Sequence, residues 1–303
     1  MVLLFRNRTP FGEDQTSFST ASQKEITRIE LSGEGEKLSL EKKGDIWIVN
    51  GRNEARRSAI AFIERILTEI KIKSPVSSEL FQQEIVSKNI NPVRVRVFDK
   101  NKLLAAFLVY KTRSNIYGNI MKIKEKSKPF IVCVPGYEGD IGSGFTMNEL
   151  FWLPYMVFNL LPSEIQSVTF ENIDDLSSSF TIINKNNIYT LSDGNTNLSG
   201  WDSSRVRRYI SYFTLIPFEN WAFNLSQAEA DIIESTGPMC RITVKKSDGT
   251  SILLTLWEKT NRETGEKDSD RLWGKTDSRD DLFILRYFDI YPLLKKRSYY
   301  YTQ

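Results

Sequence analysis

Side chains able to transfer protons or attack electrophiles are unevenly represented in this chain. It holds 38 Asp and Glu among 303 residues, no histidine, and two cysteines, Cys133 and Cys240. Without imidazole there is no Ser-His-Asp or Cys-His nucleophile and no His-containing zinc site. Two cysteines cannot build a metal cluster and allow at most one disulfide; their place in strand patterns suggests buried free thiols. What remains is carboxylate chemistry: Asp174-Asp175, Asp280-Asp281, Glu138 with Asp140, and Asp268 with Asp270. Paired acids can hydrolyse a glycosidic bond or hold calcium, so a histidine-free carboxylate hydrolase is one reading. None of these pairs fits the calcium-loop pattern, and all lie in polar runs typical of solvated turns. The expectation is a non-enzyme with no catalytic residue, cofactor or metal.

Binding patterns are more numerous. Pro135-Gly136-Tyr137-Glu138-Gly139-Asp140-Ile141-Gly142-Ser143-Gly144-Phe145 is rich enough in glycine to cradle an anion, yet it lacks the Lys-Ser or Lys-Thr of a phosphate loop and the dinucleotide spacing. A structural loop is the better reading. Gly274-Lys275-Thr276 ends like a phosphate loop, but Ser269 stands where its first glycine belongs. Lys122, Lys124, Lys126 and Lys128 alternate, so a strand would put all four on one face. Such a face either guards a sheet edge against aggregation or contacts an anionic glycan, lipopolysaccharide or lipid headgroup. Aromatics make up 12% of the chain; Tyr137, Trp152 and Trp201 join the four lysines as candidate ligand or partner contacts. The formal net charge of +3 is too even for a dedicated nucleic-acid or membrane-surface binder, which would show a concentrated basic excess.

The elements that would position these residues repeat. Glu25–Leu31, Lys37–Glu41 and Asp45–Val49 alternate apolar and polar residues, and Glu164–Phe170, Ser179–Asn184 and Asn187–Leu191 do so again. An amphipathic helix follows each triplet, with Ile60, Ile63, Leu67 and Ile70 on one and Val206, Tyr209, Ile210 and Phe213 on the other. Short helices near 78–88 and 226–235 come next. Strands at Val93–Val97 and Cys240–Val244 then turn back through Asp99-Lys100-Asn101 and Ser247-Asp248-Gly249 into Leu103–Tyr110 and Ser251–Trp257. Tyr117-Gly118 and Trp273-Gly274 open the last equivalent segments, and polar Lys259–Asp270 reads as a loop insertion in the second copy. The fold class expected is α+β: a tandem duplication of two similar modules, each a mainly antiparallel sheet with helices on one face.

The domain boundaries follow. Residues 1–23 read as a flexible arm, 24–145 as the first copy, 146–163 as an apolar junction buried between copies, and 164–303 as the second copy. Val2–Phe5, followed by Arg6 and Arg8, is too short to span a bilayer and reads either as an ordinary start or as the stub of a longer membrane anchor. The stretch Leu150–Leu161 is also too short, and Pro154 and Asn159 interrupt it.

Glu25-Ile26-Thr27-Arg28-Ile29, Ile46-Trp47-Ile48-Val49-Asn50, the Ala55–Ile70 helix, Ser74-Pro75-Val76, and Pro129-Phe130-Ile131-Val132 through Pro135-Gly136-Tyr137-Glu138-Gly139 carry a resemblance. Over residues 24–185 the chain resembles domain-of-unknown-function family 4340, in the form found in bacteria with outer membranes, where a short N-terminal anchor precedes the domain. The resemblance implies no assigned activity and no catalytic residue. It implies an envelope-facing accessory role beside transport or gliding-associated ABC systems, periplasm-facing and tethered through the N-terminus. This chain has no nucleotide-binding motif, so in such a complex it would be a non-ATPase partner. The competing expectation is a module that binds glycan, peptide or lipid in a cleft between the copies, near Gly136 to Trp152.

Overall fold

Alternation decides the first sheet. In Val93-Arg94-Val95-Arg96-Val97 the valines are buried and the arginines exposed, as a strand with one dry face requires. The computed structural model describes residues 18–20, 24–112, 119–194, 196–261 and 264–301, and the chain divides into two compact units between Pro154 and Tyr155.

The first unit opens with a meander of β1 (Arg28–Gly33), β2 (Glu36–Lys43), β3 (Ile46–Val49) and the short β4 (Asn53–Glu54). Helix α1 (Arg57–Glu69) and β5 (Lys71–Pro75) follow, then α2 (Ser78–Phe81), which runs into a π-helical turn at Gln82–Val86. The closing strands are β6 (Val93–Asp99), β7 (Lys102–Tyr110), β8 (Asn119–Lys122) and β9 (Phe130–Cys133). Together they form one antiparallel sheet ordered β4-β3-β2-β1-β6-β7-β8-β9-β5. Ala59, Ile60, Ile63, Ile66 and Leu67 of α1 are buried, and so are Ile29, Leu31, Leu40, Val95, Val97, Phe107 and Val109 of the sheet. A satellite core joins Ile85, Leu108, Tyr110, Ile120 and Ile131, with Leu80 and Phe81 of α2 packed against it. Glycine at position 144 permits the close approach of α1, since a Cβ there would lie 2.7 Å from Ile66 Cδ1.

The second unit contains β10 (Met156–Phe158), β11 (Ile165–Asn172), β12 (Phe180–Lys185), β13 (Ile188–Ser192), β14 (Ile216–Pro217), β15 (Asn220–Trp221), β16 (Cys240–Lys246), β17 (Ser251–Thr260), β18 (Lys267–Thr276) and β19 (Phe283–Arg286). Strands β10 and β14 pair with each other, and the rest form an antiparallel sheet ordered β13-β12-β11-β16-β17-β18-β19-β15. In both large sheets an opening meander, of four strands in the first and three in the second, meets a closing four-strand meander, and the far edge is a strand that follows the amphipathic helix. Lys259–Asp270 is not a loop insertion: β17 and β18 extend into it as a hairpin, held by Lys259–Asp268 at 3.0 Å.

The remaining helices are α3 (Glu149–Trp152) in the first unit, and α4 (Ser203–Ser211), α5 (Gln227–Ser235) and α6 (Tyr287–Ile290) in the second. Val206, Tyr209 and Ile210 of α4 are buried. An aromatic cluster fills this core: Phe180 lies 5.5 Å from Phe170, 5.5 Å from Tyr209 and 4.9 Å from Tyr300. The Tyr209 hydroxyl donates to the Leu293 carbonyl at 3.1 Å, whereas the buried Tyr300 hydroxyl has no partner among the described residues.

Two expectations about the chain's layout change. The apolar stretch at 146–163 is not one junction element, because its two ends serve different units. In the first unit, Trp152 Nε1–H donates to the Thr146 carbonyl at 2.9 Å, and Arg56 N–H donates to the Trp152 carbonyl at 2.6 Å. In the second, Phe158 packs 5.1 Å from Phe213. Residues 18–20, assigned to the flexible arm, are packed: Phe18 is buried edge-on to Phe107 at 5.9 Å and Phe130 at 6.3 Å, and Thr20 N–H donates to the Leu67 carbonyl at 2.8 Å. The expectations for Val2–Phe5 and Tyr117-Gly118 lie outside the described residues.

Phe18→Ala should destabilise the first unit by about 3 to 5 kcal/mol, the usual cost of deleting a buried ring, measured by chemical denaturation. In the second unit, Tyr300→Phe should leave stability unchanged or raise it by about 1 kcal/mol, because it removes an unbonded buried hydroxyl. Tyr209→Phe should cost about 1 kcal/mol, because it orphans the Leu293 carbonyl.

Candidate functional site

Helix α1 covers one face of the first sheet, and α2 covers only the corner of the other around Tyr110 and Ile120. The rest of that second face is open. In register across it, Arg94 stands opposite Leu108 and Arg96 opposite Ala106, so two guanidinium groups flank an apolar floor. Beyond β8 the chain leaves the sheet and turns, with Ser127 N–H donating to the Lys124 carbonyl at 2.9 Å. This turn walls a cleft of about 480 Å³ lined by the two arginines, the floor residues, Ile123, Lys124, Glu125 and Lys126.

The cleft is basic. Its cations are Arg94, Arg96, Lys124 and Lys126; the acids are Glu125, 3.2 Å from Arg94, and Glu30 on the neighbouring strand, 3.1 Å from Arg96. Glu30 is shared with Arg28 at 3.2 Å, and Arg28 and Arg96 both lie over the Phe98 ring, at 4.3 and 4.9 Å. The arrangement can hold a carboxylate or phosphate against an apolar floor, with charge-assisted hydrogen bonds supplied by guanidinium groups.

The structure separates the sequence-derived candidates. The alternating lysines do not share a strand face: β8 ends at Lys122, and Lys124, Lys126 and Lys128 lie in the turn that follows. The cause is chemical, because after Ile123 the intervening residues are Glu125 and Ser127, which give a strand no apolar side to bury. Lys124 and Lys126 nevertheless reach the cleft. Lys122 lies over Phe81 at 4.9 Å and bonds the Glu125 carbonyl, and burial pulls its ammonium down from the ordinary value while Glu125 opposes the shift. Trp152 cannot touch a ligand, being 0% exposed. Trp201 belongs to the second unit, half-buried, its indole N–H donating to the Leu198 carbonyl at 3.0 Å.

Tyr137 lines a separate hollow of about 250 Å³ with Lys73, Asn119, Cys133 and Glu138. Its ring packs 5.6 Å from Phe62 of α1, so it also serves the scaffold. A third hollow, of about 290 Å³, includes Lys42, Asp45, Glu54, Arg57 and Glu64 in its lining; burial raises Glu64 above the usual carboxylate range, against the opposing charge of Lys42.

The paired acids singled out in the sequence mostly shape turns. Asp140 accepts from Gly142 N–H at 2.8 Å, Asp175 from the Ser177 hydroxyl at 2.6 Å, and Asp268 from Asp270 N–H at 3.0 Å. Among the described residues no three His, Cys, Asp or Glu side chains are grouped to hold a metal, and no helix is long and apolar enough to cross a membrane. Comparison with protein-family models, curated proteins and solved structures finds no match.

Sequence reasoning overlooked Arg94 and Arg96, although Val-Arg-Val-Arg-Val already placed them together on the polar face. What it could not supply was the turn brought over that face by β8.

The two thiols differ in their surroundings. Cys240 is buried, and desolvation pushes its thiol up to about 12, with Asp174 adding to the rise; Cys133 is half-buried beside its hollow. Thiolate is the reactive form, so a raised value keeps Cys240 protonated at neutral and mildly alkaline pH. A disulfide reagent at about pH 8 should therefore titrate one thiol in the native chain and two after denaturation; Cys133→Ser should abolish the native signal.

Proposed function

We propose that this chain is a non-enzymatic interaction module of the bacterial cell envelope, built from two tandem copies of one α+β unit, and that the first unit grips an acidic segment of a partner protein. The duplication reading is supported by the shared order of meander, helix and edge strand in the two large sheets. The envelope assignment rests on the resemblance of residues 24–185 to an anchored accessory family.

One observation carries the binding role. Arg94, Arg96, Lys124 and Lys126 converge on a concave face, and the chain's own Glu125 already engages one of them as an incoming carboxylate would. Exposed ion pairs of this kind contribute little to stability, typically below about 1 kcal/mol. Exchange of Glu125 for a partner's acid therefore costs the fold little, and the apolar floor of Ala106 and Leu108 supplies contact area to an extended segment.

The test is recovery of partners from native membranes by the tagged chain, beside the double variant Arg94→Glu, Arg96→Glu. The wild type should retrieve a partner in stoichiometric amount, and the variant, folded by circular dichroism, should retrieve at least about tenfold less. Recovery of the chain alone, or equal recovery by both proteins, would sink the proposal.

A further inference from the structure

The second unit carries a surface of different chemistry. Helix α6 follows Arg286 and projects Tyr287 and Phe288 outward; Phe288 is 86% exposed, and Tyr291, just past the helix, is 53% exposed. The Tyr287 and Tyr291 rings lie 5.9 Å apart. Helix α6 packs against β14, immediately preceded by Leu215, which is 63% exposed. Scattered apolar residues on a surface need no explanation, but a cluster of this size on adjoining elements does.

Cations border the cluster. Lys295 Nζ sits 4.0 Å from the centroid of Tyr291 and 5.8 Å from that of Tyr299. Tyr299 in turn lies beside Arg205 and Arg208 of α4 and Tyr212 just past its end, so ring and cation alternate across the surface. The neighbouring acids are already engaged: Asp289 with Arg286 at 2.7 Å, and Asp202 with Arg205 at 3.7 Å and with the Ser204 N–H at 2.7 Å. Arg208 and Lys295 have no acidic partner among the described residues.

An apolar wedge with rings at its shoulders and uncompensated positive charge beside it matches the boundary of an anionic bilayer. Aromatic rings settle at the headgroup level, basic side chains lay their stems along apolar surface with their heads among phosphates, and anionic leaflets attract local positive charge. Phe288 stands clear of its own unit, as a group that enters a headgroup layer must.

We propose that this face of the second unit docks on an anionic lipid surface, with Phe288 and Tyr291 entering the headgroup region and Arg208 and Lys295 meeting lipid phosphates. The contact is independent of the cleft in the first unit and of any N-terminal tether.

The test is sedimentation of the full chain with vesicles of about one-third phosphatidylglycerol in phosphatidylcholine, beside vesicles of phosphatidylcholine alone. The chain should pellet with the anionic vesicles, and raising salt to about 0.5 M should release most of it. Phe288→Ser, exposed and so harmless to folding, should weaken binding about tenfold. Lys295→Glu should weaken it similarly, while Arg94→Glu with Arg96→Glu should leave it unchanged. Absence of vesicle binding, as a protein partner for this face would give, overturns the proposal. So does equal binding to both vesicle types, retained binding by Phe288→Ser, or loss only in the cleft variant.

Discussion

A β-sheet has two faces, and a single amphipathic helix can exclude water from only one of them. Both units meet that constraint in the same order: an opening meander, a helix that seals the inner face, and a closing meander that widens the sheet. The inner faces are both apolar: Ile and Val are buried along with Ile60, Ile63 and Leu67 in the first unit, and Val168, Ile182, Ile242 and Phe180 along with Tyr209 and Ile210 in the second. The outer faces need not match, and they do not. On the first, arginine and glutamate alternate across β1 and β6; on the second, Thr169 and Thr181 share a hydroxyl bond at 3.0 Å and Thr243 stands in the same row. The two units differ most where the helix does not reach.

Partial cover matters as much as open surface. Helix α2 and its π-helical continuation protect Leu108, Tyr110 and Ile120, and stop short of Arg94 and Arg96. The boundary of the cleft is therefore the edge of a small satellite core. Its other wall is a turn stitched by Lys122 and Glu125, so the same residues that end a strand also border the hollow. A site made this way is positioned by packing behind it, while its charges remain wet and exchangeable.

Most of this architecture was legible in the sequence because strand alternation and hairpin turns are local signals. Lys100 and Gly249 adopt positive φ where Asp99-Lys100-Asn101 and Ser247-Asp248-Gly249 marked turns, and the two amphipathic stretches became α1 and α4. The errors came from reading one residue type without its neighbours. Alternating lysines looked like a strand face, but a strand also needs something to bury on its other side. Trp152 looked available because aromatic residues bind ligands, yet its indole is tied to Thr146 inside the first unit. Phe18, alone in a polar segment, gave no periodic signal at all, and its site is assembled from Phe107 and Phe130 far along the chain. The cleft was unreadable for the same reason, since it requires β6, β7 and the turn after β8 to be brought together.

The burial of Phe18 has a mechanical meaning. Its ring is wedged among aromatic side chains of the first core, and Thr20 fastens the backbone to the last turn of α1 through N–H and hydroxyl donation to one carbonyl, at 2.8 and 3.2 Å. Tension applied to the chain ahead of residue 18 is thus delivered into the middle of a sheet-and-helix core instead of peeling an edge strand. Extraction of the ring would have to precede any slackening of β1, which makes this short segment the force-bearing grip of the first unit.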